Sequence, residues 1–217
     1  MTSLRHMASE FEVPRFSAEQ MADMERRSKE WERAEQMRIV GERRSRSGIP
    51  EAYSRAELRL CVPAAERWLS NAIGSPGMLL RGKVGRGKTY TACAMLNRAI
   101  LNHGVKFATF GDVMRECKAT FHGQGTERDV IDRYTGVPLL AIDDLGKENM
   151  TEWALPIVFA IIDKRHTSGR RTIITTQYEN LALRLITEAN QDTAKAIVSR
   201  LSEYELIEFE GPDRRLA

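Results

Sequence analysis

The sequence predicts an α/β domain of three layers, a five-stranded parallel sheet between helices, preceded by a short helical N-terminal arm. Three observations carry this expectation. The segment Gly82-Lys83-Val84-Gly85-Arg86-Gly87-Lys88-Thr89 fits the phosphate-loop pattern G-x-x-x-x-G-K-[ST] and sits between an apolar run and a helical pattern. Short apolar runs then alternate with helical patterns to the end of the chain, as parallel strands covered on both faces require. Residues 1–47 differ, with interleaved acids and bases and few apolar positions, and form the arm; residues 48–217 form the domain.

Bulk composition narrows the function classes. The 217 residues carry a formal net charge of only +3, so any nucleic-acid surface must be a local patch. Three cysteines, Cys61, Cys93 and Cys117, stand far apart, and the four histidines show no ligand spacing, which argues against a structural zinc. No apolar run approaches the roughly 18 residues that span a bilayer, so no membrane role and a cytoplasmic location are expected.

In chain order, the segment Glu19 to Arg46 reads as one helix with Met24, Trp31, Ala34 and Met37 on a narrow apolar stripe. Such a helix either packs on its own domain as a solvated element or serves as a partner-binding arm. Ser45 to Pro50 ends it with small and breaking residues. Glu51 to Ser70 reads as helical, and Gly74 to Gly77 as a loop leading into the strand Met78-Leu79-Leu80. A helix from Lys88 closes at His103-Gly104, and Val105 to Phe110 forms the second strand.

Helices follow over Gly111 to Phe121 and Thr126 to Tyr134. The third strand ends Ala141-Ile142-Asp143-Asp144. The next helix should begin close to Pro156, which a helix tolerates only in its first turn, and it runs to His166. Thr172 to Thr176 forms the fourth strand, Leu181 to Ile186 and Thr193 to Leu201 form helices, and Leu206 to Phe209 forms the fifth strand.

The chemistry follows from the loop. A glycine-rich turn entering a helix N-terminus presents backbone N–H groups and the positive end of the helix dipole to phosphate. Gly82, Gly85, Arg86, Gly87, Lys88, Thr89 and Tyr90 are the candidate nucleotide-binding residues, with a nucleoside triphosphate as the ligand. Lys88 would reach the outer phosphates, and Thr89 with Asp143 would hold Mg2+. Asp144 would polarise the attacking water. A pair of aspartates after an apolar strand also serves as a turn initiator, but following a phosphate loop the catalytic reading prevails.

Thr175, Thr176 and Gln177 end the fourth strand where a terminal-phosphate sensor would stand, or they make local hydrogen bonds. Arg200 either complements its helix dipole or reaches a neighbouring subunit's nucleotide. Lys118, Phe121 and Arg128 combine charge with a stacking face, as single strands need, unless Phe121 is a helix-end core residue. Arg214 and Arg215, after the last strand, are given no nucleotide role.

The phosphate loop, the strand ending Ile142-Asp143-Asp144-Leu145-Gly146, the strand Ile174-Thr175-Thr176 and the box Ser199-Arg200-Leu201 resemble the P-loop AAA+ helicase loaders of the DnaC type. The related IstB transposition helpers share them. The resemblance covers about residues 45–217, including Ser47-Gly48-Ile49-Pro50. It implies a five-stranded AAA+ core, ATP-dependent oligomer assembly, single-stranded DNA binding, and docking of the arm on a replicative, DnaB-type hexameric helicase in replication initiation.

Carried over by position, Lys88 and Thr89 match the Walker A pair, Asp143 and Asp144 the Walker B pair, and Arg200 the arginine finger. Asp112 to Tyr134 matches the family's extra helical element, which lines a path for single-stranded DNA, and Phe121, Thr151 and Trp153 match positions of its DNA contacts. Gln177 stands where the family carries Asn, and Asp144 where many AAA+ ATPases carry Glu. Two other functions share these features: a transposition helper acting with a transposase, and a nucleotide-switched adaptor that does not hydrolyse.

Overall fold

The computed structural model describes residues 16–71, 76–147, 151–181, 185 and 191–214. Most of the helix expected over 181–186, the first half of the loop over 74–77, and Arg215 lie outside the described residues. Contacts divide the chain into two compact units, one up to Gly41 and one from Glu42 onward.

Helix α1 (Ala18–Ser47) starts from a reciprocal cap. The Gln20 N–H donates to Ser17 Oγ at 3.1 Å, and the Ser17 N–H donates to Gln20 Oε1 at 2.8 Å. Ion pairs one turn apart, such as Arg27–Asp23 at 2.9 Å and Arg38–Glu35 at 2.7 Å, line its surface. The apolar side chains Met21, Met24, Trp31 and Met37 are all exposed. The helix stops at Gly48, whose φ of 72° is left-handed and whose place against the Phe107 carbonyl leaves no room for a Cβ.

The stretch expected to be helical over Glu51 to Ser70 is α-helical only in its last eight residues. It contains two single 3-10 turns, Glu51–Tyr53 and Leu58–Leu60, before helix α2 (Pro63–Ser70). Proline supplies the reason: Pro63 disfavours helical backbone at Val62, which is extended at φ −65°, ψ 136°, and then occupies the first helical position itself.

The phosphate-loop strand β1 (Gly77–Gly82) feeds helix α3 (Lys88–Ala99), followed by β2 (Val105–Thr109) and α4 (Phe110–Ala119). Next come α5 (Glu127–Gly136), β3 (Leu139–Asp143), α6 (Ala154–Thr167), β4 (Arg171–Thr176), α7 (Gln191–Leu201) and β5 (Glu205–Phe209). Thr109 with Asp112, and Thr126 with Asp129, form capping boxes that start α4 and α5. Pro156 is the third residue of α6, where a missing N–H breaks no intrahelical bond.

All five strands are parallel in the order β2-β3-β4-β1-β5. One face of the sheet is sealed by Phe110, Val113, Tyr134, Leu155, Ile161 and Ile197 from the helices, packed on Leu140, Ile142 and Ile174. At the N-terminal edge of the sheet the fully buried Arg165 is the pin. It donates to Thr172 Oγ1 at 2.9 Å and to the carbonyls of Tyr134 at 2.9 Å and Val137 at 2.8 Å, with further bonds to Pro138 and Arg171. Those carbonyls end α5 and begin β3 and β4, so one guanidinium satisfies acceptors on three elements. No described helix is long and apolar enough to cross a membrane.

Candidate nucleotide site and nucleic-acid interface

The parallel register delivers the C-terminal ends of β1, β3, β4 and β5 to one edge, where open α/β sheets bind ligands. Ile142 pairs with Ile174 and Arg81 with Thr176, so Asp143 and Asp144 arrive beside Thr175, and the phosphate loop beside the end of β4. Between them opens a cleft of about 420 Å3, lined by the loop from Val84 to Tyr90 and by Asp144 and Gln177. Tyr53, Leu60, Lys147 and Arg214 complete the lining.

The loop is shaped by its glycines and by the end of β5. Gly85 and Gly87 have φ of 78° and 95°, left-handed values that admit the tight turn into α3. A Cβ on Gly85 would strike the Asp213 carboxylate, because the tail lies against the loop and the Arg214 N–H donates to the Gly85 carbonyl at 2.9 Å. Arg86 donates to the Phe209 carbonyl at 3.0 Å, and Gly82 packs on that same carbonyl rather than lining the cleft. Lys88 is 6% exposed and donates to the Lys83 carbonyl at 2.9 Å, curling its ammonium over the loop. The Tyr90 hydroxyl accepts the Glu57 N–H at 3.1 Å, and its ring meets Tyr53 edge-on at 6.4 Å, giving the cleft an aromatic wall.

Asp143 is buried behind the cleft and is not part of its lining. The Thr89 hydroxyl is 3.0 and 3.1 Å from its two oxygens, and the Thr175 hydroxyl donates to Oδ1 at 2.6 Å. Burial pushes its carboxyl above the ordinary value, a shift opposed by the Thr175 bond and reinforced by the neighbouring charge of Asp144. Asp144 adopts φ 59°, rare for a residue other than glycine. Its N–H donates to Thr175 Oγ1 at 2.9 Å, and its carboxylate is ion-paired to Lys147 at 2.9 Å.

The hydroxyls of Thr175 and Thr176 therefore do not serve as phosphate sensors in the cleft. Both residues are fully buried, and Thr176 donates to the Leu145 carbonyl at 2.9 Å, so the end of β4 clamps the aspartate turn. Gln177, the next residue, does line the cleft. A hydroxyl and a carboxylate in contact at the head of α3 are the hard oxygen donors that Mg2+ takes, with phosphate and water completing its shell. No cluster of three or more acidic, His or Cys side chains competes for a metal among the described residues.

Arg200 does not line this cleft. It donates twice to Asp163 Oδ1, at 2.9 and 2.7 Å, and its guanidinium stands 5.2 Å from the Phe159 ring, tying α7 to α6. Arg214, to which the sequence assigns no nucleotide role, lines the cleft. The available signal was topological: a strand parallel to β1 releases the chain beside the phosphate loop.

Four of the five candidate DNA contacts come together. Phe121 is 67% exposed, which excludes a core role, and its ring lies 5.6 Å from that of Trp153. Lys118 Nζ stands 5.9 Å from the Trp153 ring, and Lys118, Thr151 and Trp153 line a groove of about 480 Å3 with Arg115. The Thr151 hydroxyl accepts the Ala154 N–H at 3.2 Å, so it also opens α6. Arg128 is not among them: its side chain is 88% exposed and faces Asp132 on α5 at 3.7 Å.

The chain is 29% identical over 163 residues to the replicative helicase loader DnaC of Buchnera aphidicola subsp. Baizongia pistaciae, and 33% identical over 100 residues to that of Escherichia coli K12. These matches take in 69% and 45% of this chain; the chain spans 65% and 41% of the two relatives' lengths. Among solved structures, DnaI aligns with TM-score 0.63 at 24% identity, covering 74% of this chain and 94% of that one. The DnaC helicase loader aligns with TM-score 0.60 at 23% identity, covering 74% and 100%. These similarities establish the P-loop AAA+ fold. The profile of the IstB-like ATP binding proteins matches residues 68–216, from the end of α2 to the tail that crosses the phosphate loop, and the chain belongs to that family.

Proposed function

We propose that this protein is an ATP-hydrolysing helicase loader that binds single-stranded DNA and delivers or remodels a DnaB-type replicative helicase in the cytoplasm. The observation that carries the reading is the pairing of two surfaces on one domain. A phosphate-loop cleft is backed by Thr89, Asp143 and Asp144, and an exposed Phe121 beside the half-buried Trp153 is flanked by Lys118. The names of the relatives, replicative helicase loader DnaC, supply the partner.

In this reading Gly85, Gly87 and the first turn of α3 receive the phosphates, Lys88 and Arg214 supply positive charge, and Thr89 and Asp143 hold a Mg2+ ion that neutralises the phosphate oxygens. Tyr53, Leu60 and Tyr90 flank the base. Asp144 and Gln177 orient the water that adds to the terminal phosphorus as the bridging P–O bond breaks, giving ADP and phosphate. Single-stranded DNA stacks on Phe121 and Trp153 while Lys118 and Arg115 meet its backbone. Arg200 leaves Asp163 to complete the cleft of a neighbouring copy, so self-association accompanies hydrolysis. The arm of residues 1–47 docks on the helicase through the side of α1 that carries Met24 and Trp31.

The test is phosphate release with and without single-stranded DNA, combined with capture of a purified hexameric helicase. DNA-responsive release and helicase capture are expected, with capture lost on deletion of residues 1–41. The family's own name favours one second reading, a transposition helper, and capture of a transposase in place of the helicase selects it. Retained nucleotide binding with no release in any condition selects a non-hydrolysing adaptor.

A further inference from the structure

Asp144 is held at three points. Its N–H is bound by the buried Thr175 hydroxyl, its carbonyl accepts the Lys147 N–H at 3.2 Å, and its Oδ2 takes the Lys147 ammonium at 2.9 Å. With a left-handed φ of 59° and a pinned N–H, the backbone leaves the carboxylate few directions, and the ammonium occupies the lone pairs on one side. Both side chains line the cleft with Lys88 and Gln177. While the pair holds, Oδ2 is engaged and only Oδ1 is left to accept a hydrogen bond from water.

On the proposed hydrolytic function, we infer that Lys147 is a positioning residue that restrains Asp144 and sets a slow basal rate of ATP hydrolysis. The pair is half open to solvent, with side chains 60% and 33% exposed, so the restraint is modest and is screened by salt. The size of such pairs corresponds to a change of about two- to five-fold in rate. Lys147 is exposed, and Lys147→Ala keeps the backbone N–H that bonds the Asp144 carbonyl, so an unchanged unfolding midpoint is the control for this variant.

The experiment is turnover at saturating ATP and Mg2+ in low salt, without DNA, for the wild type, Lys147→Ala and Lys147→Arg. Lys147→Ala is expected to turn over about two- to five-fold faster, and Lys147→Arg, which keeps the cation, to stay near the wild-type rate. Raising the salt should bring the wild type toward the alanine variant while moving the variant itself little, a signature that a purely structural role would not produce. Turnover of Lys147→Ala equal to or slower than the wild type overturns the inference alone. Nucleotide binding without phosphate release by any of the three proteins overturns the hydrolytic function, and the inference with it.

Discussion

Thr175→Val tests whether the end of β4 holds the aspartate turn. The substitution keeps the shape of a fully buried side chain and removes only its hydroxyl. Two bonds go: the 2.6 Å donation to Asp143 Oδ1 and the 2.9 Å acceptance from the Asp144 N–H. A hydrogen bond to a charged group contributes about 1.5–3 kcal/mol, and a donor left unpaired away from water costs about 1–3 kcal/mol. Asp144 is partly exposed and water meets some of that second cost, so we expect a loss of about 3 kcal/mol. Thr175→Ser keeps both bonds and forfeits one buried methyl group, about 1 kcal/mol. Urea unfolding with an unchanged slope reads both values. A valine variant within about 0.5 kcal/mol of wild type, or a serine variant as unstable as valine, would refute the clamp.

Three further outcomes follow from the same geometry. Phe121→Ala should weaken single-stranded DNA binding by about 1–3 kcal/mol without changing the unfolding midpoint, with fluorescence anisotropy of a labelled strand as the readout; unchanged affinity removes the stacking platform. Arg165→Met should cost at least about 3 kcal/mol by thermal unfolding, because several buried carbonyls lose their donor; a loss below about 1 kcal/mol would show that the carbonyls find other partners. Burial raises the Cys93 thiol to about 12 and the Cys117 thiol to about 11. Each stays protonated until the pH approaches its raised value, so at about pH 8 a thiol reagent should modify the folded protein at Cys61 at most, and all three cysteines once urea is added. Equal rates at three cysteines in the folded protein would contradict that burial.

Local chemistry made most of the elements legible. The phosphate loop could be read because its glycines take left-handed angles that other residues resist, and β3 because an apolar run ending in aspartate has few other uses. What escaped depends on neighbours distant in sequence. Thr175 and Thr176 read equally well as sensors or as local bonding groups; only the β3–β4 register shows their hydroxyls turned onto Asp143 and Leu145. Arg214 was passed over because its approach to the cleft follows from β5 lying beside β1. Over Glu51 to Ser70 the apolar spacing suggests helices, but Pro63 holds Val62 extended and α2 starts only at the proline. Exposure of Phe121 was open in the sequence, since a helix-end aromatic faces core or solvent according to what stands opposite, and here that is Trp153.

The central claim is that the loop from Gly82 to Thr89, backed by Asp143, holds a nucleoside triphosphate. Equilibrium titration of a fluorescent ATP analogue into the wild type and Lys88→Ala, with and without Mg2+, tests it most directly. We expect saturable binding by the wild type that strengthens with Mg2+, and a loss of at least about tenfold in Lys88→Ala, the scale of one charge-assisted contact to phosphate. Equal affinity of the two proteins, or binding by the wild type that ignores Mg2+, would contradict the account.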